Sequence, residues 1–142
     1  MALVLGIGAL LCAGGVGVVV SLYDNATAIK RTAPDAVVDS FIRAYLVDRD
    51  DKEAALYTCK SGGVFTQLAA YRTDIENRER QYSITIQVTW GSLRVSTSNG
   101  KGTVGVDLTR YIINSEQLTD TWQIVVVDQD GWRACGATKE SP

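Results

Sequence analysis

Three regimes of hydrophobic patterning follow one another along the chain. Positions 1–23 carry no ionisable side chain. From Pro34 to about position 79 apolar residues recur at helical spacing, and from Tyr82 onward the repeat changes to alternation.

The first regime reads MALVLGIGALLCAGGVGVVVSLY. As a helix it is long enough to cross about 30 Å of hydrocarbon, which predicts a transmembrane anchor over 1–23. Gly6, Gly8, Gly14, Gly15 and Gly17 would weaken a helix in water, but membrane helices tolerate them. Tyr23 suits the aqueous interface, and a polar linker over 24–33 follows. A cleaved signal peptide would show a basic start and a shorter apolar core. Ala26-Thr27-Ala28 nevertheless resembles a cleavage sequence, so removal near residue 29 is the alternative. A lipoprotein would need small residues before its modified cysteine, whereas Cys12 follows Leu10 and Leu11.

In the second regime Pro34 suits the first position of a helix. Val37, Val38, Phe41, Ile42, Tyr45 and Leu46 form one stripe, predicting a helix over 34–48. The acidic corner at 48–53 lacks the glycine and terminal glutamate of a calcium loop. Asp50 and Asp51 instead complement the dipole of a short helix over 51–58. Gly62-Gly63 breaks the pattern, and a third helix is expected over 64–79 with Val64, Leu68, Tyr71 and Ile75 on its apolar stripe.

In the third regime Tyr82, Ile84, Ile86, Val88 and Trp90 alternate with polar residues, predicting a strand over 82–90. Parity slips at Gly91, since Leu93 and Val95 are odd-numbered, which predicts a bulge or bend at Gly91-Ser92. Asn99-Gly100 is a hairpin signal. A strand over 103–113 places Val104, Val106, Leu108 and Ile112 on one face, and Ser115-Glu116 marks a turn. A strand over 121–128 follows with Trp122, Ile124 and Val126 inward, then Asp130-Gly131 and a short strand over 132–135. Residues 137–142 read as a polar tail. Three helices followed by four antiparallel strands imply an α+β domain over 34–136, with the helices on one face of a curved sheet.

Charge and composition narrow the function. Fourteen basic and sixteen acidic residues leave a net charge of −2, so no electrostatic footprint for nucleic acid is present. Histidine is absent, which excludes a Ser-His-Asp triad, a Cys-His pair and a His-bearing zinc site within this chain. No motif calls for a cofactor or metal.

Cys59 closes the second helical region and Cys135 lies in the last strand. These elements approach one another if helices cover the sheet. A disulfide between them would close a loop of about 75 residues and stabilise by about 4 kcal/mol; two buried free thiols are the alternative. A disulfide requires an oxidising compartment. That places the domain outside the cytoplasm, against the positive-inside reading of Lys30 and Arg31.

The closing motif Asp130-Gly131-Trp132-Arg133-Ala134-Cys135-Gly136 resembles the W-R-x-C ending of small actinobacterial membrane-anchored proteins with a nuclear transport factor 2-like, or cystatin-like, domain. These are of the lumazine-binding-like and Mce-associated type. The resemblance covers roughly 34–136, and the sequence departs from it by carrying Ala134 where a branched residue is usual. It implies a cone of three helices on a curved four-stranded antiparallel sheet behind a membrane helix, and pairing of Cys59 with Cys135. Some members of the fold are enzymes using Asp, His or Tyr inside the cone.

Here the inward strand positions read as Ile, Val, Leu and Trp. Arg110 shares parity with Val104, Val106, Leu108 and Ile112. Its guanidinium is a candidate for binding an anionic group, or a rim charge. Trp90, Trp122 and Tyr45 are the other candidate cavity-lining residues, with core packing as the plainer reading. No pair of carboxylates is expected inward, and no enzymatic activity is expected. The resemblance implies a non-catalytic accessory protein of the cell envelope, anchored in the membrane and docked to a transport or secretion complex. The alternative is a module holding a small apolar ligand in the cone.

Overall fold

The computed structural model describes residues 32–61, 63–112 and 116–141. The apolar segment 1–23, the linker as far as residue 31 and the turn at Ser115 lie outside them. Among the described residues no helix is long and apolar enough to cross a membrane.

Helix α1 (Pro34–Ile42) starts with proline at its first position. It continues into a π-helical segment (Arg43–Asp48) that ends where Arg49 turns left-handed at φ 55°. The two segments together span the expected helix. The wider π turn shifts the phase of the buried stripe: Ala44 enters the core and Tyr45 is only half-buried. Asp50 caps α2 (Asp51–Ala55), accepting from the backbone N–H groups of Lys52 and Glu53 at 3.0 Å each. Helix α3 (Thr66–Tyr82) buries Leu68, Tyr71 and Ile75. Val64 does not join that stripe. It precedes the helix, exposed, and its backbone bonds Cys135 and Ala137 instead.

Tyr82 also departs from expectation. It closes α3 with an exposed ring, because Ser83 turns left-handed at φ 51° and ends the helix by bonding Glu79 O. The alternation that includes Tyr82 therefore becomes a strand only at Ile86.

The sheet is curved and antiparallel, with five strands: β1 (Ile86–Trp90), β2 (Arg94–Ser98), β3 (Lys101–Ile112), β4 (Gln117–Asp128) and β5 (Trp132–Lys139). β1 and β2 lie end to end along one edge of β3, followed by β4 and β5. They are the expected first strand, broken at the expected place. Trp90 pairs with Leu108 and Arg94 with Gly105, so 91–93 stand opposite 106–107 with one residue extra. Asn99 and Gly100 form the β2–β3 turn with φ of 53° and 74°, the paired positive values that a two-residue hairpin requires.

A second bulge lies in β5. Val125 pairs with Gly136 and Val126 with Ala134, leaving Cys135 as the extra residue. Cys135 is joined to Cys59 by a disulfide whose Cα atoms lie 4.9 Å apart. Around it, the chain meets the β5 edge in parallel sense at two places, Thr58 opposite Ala134 and Val64 opposite Gly136. Cys59 N donates to Ala134 O, and Ala134 N to Tyr57 O, both at 2.8 Å. β5 also continues past Cys135 to Lys139, with Ala137 buried, so the last strand is longer than its sequence pattern suggested.

The core lies between the helices and one face of the sheet. Trp122, Phe41, Ile42, Leu68, Leu108 and Ile124 are among its largest fully buried side chains. The inner face of β5 is small, with Ala134 and Ala137, and both α1 and α3 pack against this strand. The opposite face is polar. Thr109 and Thr119 share a hydrogen bond there, and Arg94 grips Asp107 with two.

At the other edge of the sheet the Ile86 N–H donates to Glu79 at 2.9 Å, and Glu79 also pairs with Arg49 at 2.8 Å. The Arg49 hydrogen bond holds the Glu79 carboxyl below its ordinary value of 4.5; burial opposes this and the Ile86 N–H adds to it. A depressed folded-state pKa stabilises the fold above the unfolded value and loses that contribution as pH falls through the folded one. The stability advantage of the parent over Glu79→Gln is therefore expected to be full above about pH 4.5 and to vanish at lower pH in paired urea titrations.

The disulfide gives a second test. The oxidised full chain, with three cysteines, should take up one alkyl group under denaturing, non-reducing conditions and three after reduction. Paired Cys59→Ala and Cys135→Ala substitution should cost about 2–5 kcal/mol in urea unfolding.

Candidate functional site

One end of the inner face changes from apolar to polar. On β3 the series Val104, Val106, Leu108 continues to Arg110, and on β4 the series Val126, Ile124, Trp122 continues to Asp120. Lys139 of β5 pairs across the sheet with Trp122. Over these residues α3 lays Gln67, Ala70, Tyr71 and Asp74, which share one side of the helix through i, i+3 and i+4 spacing. Together with Glu140 and Ser141 these α3 residues, Arg110, Trp122 and Lys139 line a cavity of about 540 Å³.

An ion network crosses its wall. The Arg110 side chain is only 14% exposed and donates from Nη1 to Asp74 at 2.9 Å and from Nη2 to Asp120 at 3.4 Å. Lys139 Nζ meets the second oxygen of Asp120 at 2.8 Å. Arg78 bonds Asp74 from the exposed side at 3.0 Å. The guanidinium lies 4.9 Å from the centre of the Tyr71 ring, and that ring packs edge-on against Trp122 at 5.3 Å.

Three buried polar atoms on these residues have no hydrogen-bond partner among the described residues: Tyr71 Oη, Arg110 Nε and Trp122 Nε1. Burying a donor without an acceptor costs about 1–3 kcal/mol. Native structures rarely leave several such groups together, and an absent partner is one standard explanation. Burial pushes the Tyr71 phenol well above its ordinary range, and Arg110 offsets this only in part. Tyr71 therefore carries a proton it can donate.

Of the residues singled out in the sequence, Arg110 and Trp122 meet at this cavity. Arg110 does face inward, but its two terminal nitrogens are held by carboxylates. Trp90 is elsewhere: its indole N–H donates to Asp39 of α1 at 2.8 Å, with Arg43 over the ring at 5.4 Å. Tyr45 packs between Phe41, at 5.6 Å, and the Arg72 guanidinium, at 4.7 Å. Burial raises the Tyr45 phenol above its ordinary value.

One carboxylate stands inward beside Arg110: Asp120 is 10% exposed, while Asp74, on the other side of the guanidinium, is half-exposed. Asp120 was hidden because the strand was expected to start at Thr121, whereas β4 begins at Gln117. Counting back from Trp122 by two would have found it. Lys139 and Glu140 were assigned to a tail, and Tyr71 to packing alone.

No family model matches the chain, and no curated protein matches it. Among solved structures it is similar to that of Bd1075 from Bdellovibrio bacteriovorus, at 12% identity and a TM-score of 0.52. The likeness covers 74% of this chain and 38% of that one, so the chain spans well under half of that protein. It shows the fold alone.

Arg110→Leu leaves Asp120 at the cavity wall with Lys139 as its one remaining cation. It should cost about 2–4 kcal/mol in urea unfolding. Trp90→Phe, which removes one bond to half-exposed Asp39, should cost only about 1 kcal/mol.

Proposed function

We propose that this chain is a membrane-tethered, extracytoplasmic ligand-binding module of the cystatin-like cone type. The reading rests on one observation: Tyr71, Arg110 and Trp122, each of which carries a buried polar atom without a partner among the described residues, line a single cavity. A pocket with a few convergent polar groups among apolar walls is the usual form of a small-molecule site. The order of helices before sheet and the W-R-x-C strand agree with the nuclear transport factor 2-like resemblance. The disulfide agrees with export to an oxidising space, and the apolar 1–23 segment with anchoring in the cell membrane.

The role is binding rather than catalysis. Both oxygens of Asp120 face cations, so neither is presented to the cavity as a proton acceptor. Docking to an envelope transport or secretion assembly is the second reading. The observation favouring it is the outer edge of β1–β2, which among the described residues has no neighbouring strand.

Native mass spectrometry of the full chain, extracted in mild detergent at native expression, tests both. A small-molecule adduct on the parent that is lost from Trp122→Phe supports the cavity reading. A co-eluting subunit with no adduct supports docking. A bare, solitary chain counts against both.

A further inference from the structure

We infer that the groove between the outer edge of β1 and the wall formed by α1 and its π-helical continuation takes an extended strand of a partner protein. That strand carries an acidic and an apolar residue two apart on the side facing the wall. This rests on the docking reading, and names the place and the chemistry of the partner.

Hydrogen-bond parity sets the edge. Gln87 and Thr89 stand opposite Tyr111 and Thr109, and the Ile86 N–H turns away from β3 to Glu79. Residues 86, 88 and 90 therefore direct their main-chain groups outward. Glu79 occupies the Ile86 end, while the main-chain groups of Val88 and Trp90 have no partner among the described residues. Two cavities sharing Val47, Val88 and Thr89 lie along this edge. One, of about 560 Å³, runs beside residues 84–89 and is closed by Leu46, Val47 and Arg49; the other, of about 320 Å³, continues past Trp90 to Gly91 beside Asp39 and Arg43. A free strand edge with a helix across from it is a form in which domains accept an extended peptide as an added strand.

The wall decides the partner's side chains. Val47 is 46% exposed and lines both cavities, with Leu46 and Ile84 near it in the larger one. Four charged side chains line the groove: Asp39, Arg43, Arg49 and Glu79. Three of them are engaged. Glu79 holds Arg49 at 2.8 Å and the Ile86 N–H at 2.9 Å, and Asp39 accepts the Trp90 indole N–H at 2.8 Å. Arg43 is 58% exposed, and its pair with Asp39 spans 3.8 Å, beyond hydrogen-bond reach. Its guanidinium lies 5.4 Å from the centre of the Trp90 ring, which keeps it beside the groove. The groove thus presents one cation with hydrogen bonds left to give, and a carboxylate is the acceptor that suits it. Arg43 and Val47 are one helical turn apart, about 5 Å. Alternate residues of a strand are spaced by roughly 6.6 Å, so an acidic and an apolar residue two apart meet both.

The test uses the ¹⁵N-labelled full chain in zwitterionic micelles. The probe is an acetyl- and amide-blocked peptide, Thr-Val-Thr-Glu-Thr, with counterparts carrying Gln or Lys in place of Glu. The Glu peptide is expected to shift the Val88 and Trp90 main-chain amides. It should bind about threefold more tightly than the Gln peptide, the size of an exposed ion pair, with the Lys peptide weakest. Arg43 is exposed, so Arg43→Glu should fold, and it should bind the Lys peptide best. Of two Glu peptides N-methylated at alternate residues, the one without N–H groups facing β1 should fail to bind, and the other should bind like the unmethylated peptide. Equal binding of the Glu, Gln and Lys peptides overturns the acidic preference. Equal binding of the two methylated peptides overturns strand addition. Shifts at Val88 and Trp90 that follow chain concentration without peptide make a second copy the occupant and overturn the partner named here. No shift at β1 with any peptide overturns the groove itself. A subunit that still co-elutes from a Val47→Lys chain in native mass spectrometry then shows docking elsewhere, so that the inference fails and the docking reading stands.

Discussion

The attachment of the helical layer to β5 is the constraint on which the rest of the structure depends. A sheet with one apolar face must be covered, and the covering chain must enter and leave without stranding its own backbone. Here the segments that leave α2 and enter α3 meet both demands by attaching to the outer edge of β5. They exchange backbone hydrogen bonds with Ala134, Cys135 and Ala137, and the Cys59–Cys135 bridge fixes them in the middle. Arg133 adds side-chain bonds to the carbonyls of Leu56 and Thr58, binding the end of the α2 region to the same strand. The edge thereby ceases to be a template for unwanted pairing. The run Trp132-Arg133-Ala134-Cys135 has a physical meaning in this chain: arginine for the carbonyls, cysteine for the bridge, and Ala134 between them buried in the core.

The polar end of the inner face follows from this arrangement. α3 is placed over β3, β4 and β5 so that Leu68, Tyr71 and Ile75 fill the core, while Gln67 and Asp74 reach over the far end. Arg110 is held there by carboxylates above and below. A buried ion pair of this kind contributes little net stability beside a well-packed apolar replacement. It does fix the positions of the Tyr71 ring and the Arg110 side chain, both of which line the cavity.

Much of this was legible in the sequence. The helix over 34–48, the slip at Gly91 and the inward faces of β3 and β4 follow from periodicity, because burial on one face forces it, and the Asn99-Gly100 turn follows from the positive φ those two residues accept. Arg110 and Trp122 were found by parity alone. Asp120 and Lys139 were not, because polar residues at strand ends look the same whether a strand continues or stops. Asp74 lies on a strongly charged stretch of helix, where a residue that reaches inward cannot be told from a solvated one. Trp90 and Tyr45 share the composition of pocket residues, but Trp90 lies beneath α1, where it bonds Asp39, and a π turn carries Tyr45 to Phe41 and Arg72. Such irregularities have no signature in hydrophobic alternation.

The bulge at Cys135 has a consequence for how this domain tolerates length changes. It supplies the one-residue phase offset that keeps Ala134 and Ala137 on the same side of β5 and turns Lys139 towards Asp120. Taking out Cys135 alone would remove the bridge but keep the facing, because Ala134 and Ala137 would then stand two apart in an ordinary strand. Losing one residue after the bulge, at Ala137 or Thr138, does the opposite: the bridge stays and Lys139 turns to the threonine-lined exterior. The terminal strand is thus read in frame, and its one spare residue is the bridged cysteine.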